Sequence, residues 1–139
     1  MRKMKTCFTM VLVCALLMSM SPFAAARASE QIANYDIDVA TVSGGKIAIK
    51  FSVTGTNFMN RLGAESIYIY ERGTVGWTVA EKFDADDTNM TRSNVAKYGN
   101  TIYFYGESGK EYRIIVTIFA EDKNGDSDSR SRTFTVTAQ

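Results

Sequence analysis

Beyond residue 28, apolar and polar positions alternate at period two, in short runs broken by turn residues. The strongest run is Gly109–Ala120. Tyr112, Ile114, Val116, Ile118 and Ala120 fall on one face; Arg113, Ile115, Thr117 and Phe119 fall on the other. One face is wholly apolar and the other half so, which predicts a central strand covered on one side and partly on the other. Its expected neighbours are the Ser66–Tyr70 and Thr133–Thr137 strands.

The other runs are read the same way. Tyr35, Ile37 and Val39 alternate with Asp36 and Asp38, and Ser43-Gly44-Gly45 then signals a turn. Ile47, Ile49, Phe51 and Val53 make a second strand with one clean apolar face. Gly55 to Ala64 reads as a longer connection, with room for a short helical turn, in which Phe58, Met59 and Leu62 plug one end of the core. Ser66–Tyr70 is the third strand. Arg72–Gly76 is a hairpin loop, after which Trp77, Val79 and Phe83 share the parity of a fourth. Residues 84–100 are polar and weakly patterned, with space for a short edge strand near Met90 or Val95. Ile102 and Phe104, then Gly109–Ala120, then Phe134 and Val136 complete the set. About seven strands with turns at roughly ten-residue intervals, and no useful helical period, predict an all-β sandwich or barrel.

The first 28 residues carry a different pattern. Arg2, Lys3 and Lys5 precede an uncharged apolar run from Cys7 to Met20, and Ala26-Arg27-Ala28 then offers a small-residue cleavage site before Ser29. This is the tripartite form of a secretory signal peptide. The run is short for a retained span of about 20 residues. A lipoprotein anchor at Cys14 is disfavoured by Val13 before it and by the apolar residues after it. The expected organisation is therefore a signal peptide at 1–28 and one domain at 29–139, secreted, with no retained transmembrane segment. No sorting signal follows Val136, so covalent wall attachment is not expected.

Cleavage changes the charge. Four of the 16 basic residues (Arg2, Lys3, Lys5, Arg27) and none of the 15 acidic ones precede Ser29, leaving 12 against 15, a net charge of −3. No basic field is left to attract nucleic acid. Both cysteines, Cys7 and Cys14, also lie before Ser29. A mature chain would then have no disulfide despite an oxidising destination.

Ser108-Gly109-Lys110-Glu111-Tyr112, leading into alternating Ile114, Val116, Ile118 and Ala120, resembles the sixth strand of fibronectin type III and related immunoglobulin-like domains. The resemblance implies that Tyr112 forms a tyrosine corner, its hydroxyl bonded to backbone, and that Asn124–Ser129 into Thr133–Thr137 is the final hairpin. It implies a single immunoglobulin-like (fibronectin type III-like) β-sandwich. The family's second-strand tryptophan is replaced here by Phe51 or Ile49, and the hairpin arm is about two residues longer than the family's. The chain as a whole is similar to small secreted immunoglobulin-like proteins of Gram-positive bacteria.

The chain has no histidine. Imidazole-assisted serine or cysteine nucleophiles and ordinary zinc sites are excluded, and no phosphate-binding glycine loop is present. An enzyme is not expected, nor a cofactor. Two acidic loops have partial calcium spacing. Asp84-Ala85-Asp86-Asp87-Thr88-Asn89 lacks the glycine and closing glutamate of an EF-hand, and Asp122, Asn124 and Asp126 also lack that glutamate. Turn formation is the favoured role for both. Asn89-Met90-Thr91 is a glycosylation sequon, of consequence only in a eukaryotic secretory pathway. Asn124-Gly125-Asp126 lies where some fibronectin modules display an adhesion tripeptide, with a different first residue.

Tyr68 and Tyr70 share one strand face, and Tyr103 and Tyr105 share another. In the expected topology the two pairs lie on different sheets, so Trp77 is the better companion for Tyr68 and Tyr70. Aromatic rows of this kind cover apolar sugar faces, though tyrosine is also ordinary strand composition. Two functions are expected: a non-catalytic extracellular interaction or structural module with an unknown protein partner, or a carbohydrate-binding module for a cell-surface glycan, using Trp77, Tyr68 and Tyr70.

Overall fold

The computed structural model describes residues 30–139. The expected signal peptide at 1–28 and its expected cleavage site at Ala28 and Ser29 lie outside the described residues. The fold is all-β, with six strands and no helix among the described residues: β1 (Ile32–Val42), β2 (Lys46–Arg72), β3 (Trp77–Asp84), β4 (Thr91–Tyr105), β5 (Glu111–Glu121) and β6 (Ser127–Thr137).

β2 organises the molecule. Its first half, Lys46–Gly55, lies between β1 and β4; in its second half Arg61–Gly63 lie between β5 and β4, and Ser66–Glu71 between β5 and β3. All pairings are antiparallel, and β6 closes the far side of β5. Ile47, Ile49, Phe51 and Val53 from the first half share one core cluster with Ile67 and Ile69 from the second and Ile114, Val116 and Ile118 from β5. The two halves therefore bury their apolar faces against a common interior.

Three sequence expectations are corrected. The 55–64 segment is not a connection with a helical turn but a stretch of β2, so the second and third expected strands are one and the count falls to six. Register shifts between Thr54 and Met59 and between Ala64 and Ser66 break its alternation, and a bulged strand no longer shows a period of two. Within the proposed plug, Met59 and Leu62 are buried, but Phe58 is 64% exposed. Residues 91–105 form one 15-residue strand rather than a polar stretch with a short edge strand.

β5 lies between β2 and β6, as the pattern indicated. Its inward residues, from Tyr112 to Ala120 at alternate positions, are 0–2% exposed. The Tyr112 hydroxyl accepts the Glu107 backbone N–H at 2.9 Å. Its ring meets Phe104 edge-on at 5.2 Å. Gly106 packs flat against the ring: a Cβ there would lie 2.7 Å from it.

Candidate recognition face

The outward residues of β3, β2, β5 and β6 form a grid of three rows. Lys82, Tyr68, Ile115 and Thr133 make one; Val79, Tyr70, Arg113 and Thr135 the next; Trp77 opposite Arg72, with Glu111 opposite Thr137, the third. Alternation along β2 and β5 aims these side chains away from the core, since the intervening Ile67, Ile69, Ile114 and Val116 are fully buried. A register shift between Ile69 and Tyr70 on the β3 side keeps Val79 and Lys82 on this face despite their odd spacing.

Tyr68, Tyr70 and Trp77, expected together, share this face. The two tyrosine rings stack, with centroids 6.2 Å apart and planes 14° from parallel. Trp77 carries two guanidinium groups: Arg113 at 4.5 Å from the ring centroid and Arg72 at 5.9 Å. Lys82 lies 5.2 Å from the Tyr68 ring. The face is thus aromatic and cationic rather than a bare aromatic platform.

The cations differ in their partners. Arg72 pairs with Glu111 at 3.2 Å, and Lys82 pairs with Asp84 at 3.2 Å. The Asp84 carboxylate, and then the Tyr68 hydroxyl, hold the Lys82 ammonium above the usual lysine range. Arg113 has no ion pair among the described residues. Two guanidiniums around Trp77 are matched by one carboxylate, so the middle of the face has an excess positive charge. Glu71, which binds Lys110, has the inward parity of β2 opposite Tyr112 and does not offset it. The cations escaped the sequence reading because their importance depends on cross-strand register; only the aromatics on neighbouring strands hinted at a shared face.

Tyr103 and Tyr105 belong to β4, beside the first half of β2, and do not join this face. The acidic loops are internally engaged. Arg61 pairs with Asp86 at 2.6 Å, and Asp87 accepts the Asp84 N–H. Asp122 Oδ1 accepts the Asn124 and Asp126 N–H groups at 2.8 and 3.0 Å, while Oδ2 faces Gln31 Nε2. These carboxylates shape turns and strand ends. Among the described residues no group of three or more acidic or soft side chains is arranged to hold a metal ion. Asn89, the sequon residue, is exposed with φ 66°, and its carbonyl accepts the Tyr98 hydroxyl.

No family model and no curated protein matches the chain. Among solved structures it is similar to a superoxide reductase (neelaredoxin) from Archaeoglobus fulgidus in the reduced form, at 16% identity and a TM-score of 0.40, over 84% of this chain and 100% of that one. That neighbour is an enzyme, and the finding corrects the expectation of a non-catalytic extracellular interaction or structural module and of its carbohydrate-binding alternative; the non-catalytic reading is not carried forward. At this identity and TM-score the likeness transfers no reaction, site or cofactor to the present chain.

Proposed function

We propose that the chain is an exported immunoglobulin-like protein that recognises acidic segments of a protein partner on the β3–β2–β5–β6 face. The observation that carries this reading is Arg113: its guanidinium 4.5 Å from the Trp77 ring centroid, without a carboxylate of its own, in a row with Thr135, Tyr70 and the 57%-exposed Val79. A ligand carboxylate between Arg113 and Thr135 would accept hydrogen bonds from a guanidinium already placed over the indole. An apolar neighbour in the ligand would cover Tyr70 and Val79. Support for the fold subclass comes from the Tyr112 hydroxyl bonded to backbone five residues upstream and from the way β2 leaves one set of neighbours for another. Export rests on the basic, apolar and small-residue series before Ser29.

A peptide array with acidic sequences beside their Asn/Gln counterparts tests the recognition reading. The expected outcome is selective binding to the acidic members, weakened by roughly ten- to a hundredfold in Arg113→Gln, as suits loss of a charge-assisted hydrogen bond of about 1.5–3 kcal/mol. Equal binding to both sets, or binding indifferent to Arg113→Gln, would overturn it.

A further inference from the structure

The opposite outer face, on β1, the first half of β2, and β4, is built differently. Its rows are Asn34–Thr54–Lys97, Asp36–Ser52–Gly99, Asp38–Lys50–Thr101, Ala40–Ala48–Tyr103 and Val42–Lys46–Tyr105. One end is hollow. Ser52 and Gly99 form the floor of a groove of about 680 Å³ flanked by Asp36, Lys50 and Lys97. The other end projects. Tyr105 is 72% exposed, Tyr103 47% and Val42 41%. Lys46 lies over both tyrosine rings, at 4.1 and 5.9 Å.

None of Asp36, Asp38, Lys46, Lys50 and Lys97 makes an ion pair among the described residues. The face therefore carries both signs of charge unspent, a knob at one end and a hollow at the other. Turning a second copy end for end brings the knob of each over the hollow of the other.

We propose that this face docks a second copy of the chain about a two-fold axis running across the strands. Tyr105 then meets Lys97 of the second copy, Tyr103 lies over the floor at Gly99, and Ala48 lies over Ser52. The middle row lies on the axis, so Lys50 faces Lys50 and Asp38 faces Asp38, and each Lys50 reaches the other copy's Asp38 only diagonally, across one strand spacing of about 4.8 Å. Such a contact is isologous, so it closes at a dimer. Three strands about 4.8 Å apart and five rows about 6.8 Å apart give a small face, at the low end of specific interfaces. The dimer is accordingly weak and concentration-dependent. This proposal is independent of acidic-ligand recognition, which uses the other face.

Sedimentation velocity on protein produced from the full 139-residue sequence, over about 1–500 µM, tests the association. A reversible monomer–dimer equilibrium is expected, weakened about tenfold or more by Tyr105→Ala. Cross-linking tests the geometry, in a background with Cys7 and Cys14 changed to Ser. A mixture of Tyr105→Cys and Lys97→Cys chains should be joined by a short bis-maleimide, whose reach suits sheets packed about 10 Å apart. Tyr105→Cys alone should not, because the two copies' positions 105 are about 27 Å apart in this arrangement. Both side chains are exposed, so neither substitution touches the core. A wild-type chain that stays monomeric throughout, or Tyr105→Cys cross-linking to itself as readily as to Lys97→Cys, would overturn the proposal.

Discussion

Tyr112 is the residue whose polar and apolar ends are both used. Its ring is 2% exposed against Phe104 and Gly106, and its hydroxyl holds the Glu107 N–H where the chain turns into β5. Tyr112→Phe keeps the ring and leaves that N–H without its acceptor. The expected loss is about 1 kcal/mol in a urea melt; no change would show that water replaces the hydroxyl without cost. Nearby, Lys110 binds the Glu71 and Glu107 carboxylates, which hold its ammonium above the usual lysine range. A raised folded value means that this contribution is complete below the ordinary lysine value of 10.5 and is lost as pH rises through the folded value. The melting temperature should therefore fall in the alkaline range beyond pH 10.5, and less steeply in Lys110→Met. Parallel pH profiles for the two proteins would exclude this contribution.

At the scale of the element, β2 explains what was legible in the sequence and what was not. Inward positions of β5 and of both halves of β2 stood out because each side chain at alternate positions is apolar and fully buried. The middle of β2 did not. Asn57, Asn60 and the glycines at 55 and 63 look like loop, and the register shifts interrupt the alternation, so that Leu62 and Ala64 are buried between the odd-numbered inward positions of the two halves. Gly63 has a further reason to be glycine. Its φ is +143°, and an added Cβ would run into the Met90 carbonyl and lie 2.8 Å from Thr91 Cα. Gly63→Ala should cost about 2–4 kcal/mol, combining backbone strain with overlap against β4; a melt within about 0.5 kcal/mol of wild type, the range of neutral surface changes, would mean that β4 is free to move away. The same limit hid the candidate face. Tyr68, Tyr70 and Trp77 could be grouped from neighbouring strands. That Arg113 reaches Trp77 across β2 depends on pairings of Tyr70 with both Arg113 and Val79, which no local pattern encodes.

For the whole molecule, one long strand gives two outward faces of unlike chemistry around one core. The β3–β2–β5–β6 face gathers two arginines and two tyrosine rings beside the chain's single tryptophan. The β1–β2–β4 face carries the knob and the groove. Trp77 reports on the first face and not on the second, so its emission separates them. The most direct measurement of acidic-ligand recognition is a titration of Trp77 fluorescence with an acidic peptide that carries an apolar residue beside its carboxylates. The expected result is a saturable change in emission that weakens as salt is raised, because the contact is partly exposed, and that is lost in Arg113→Gln while the circular dichroism spectrum is kept. An emission change of the same size and midpoint in Arg113→Gln, or none with the acidic peptides that bind on the array, would contradict recognition at this face.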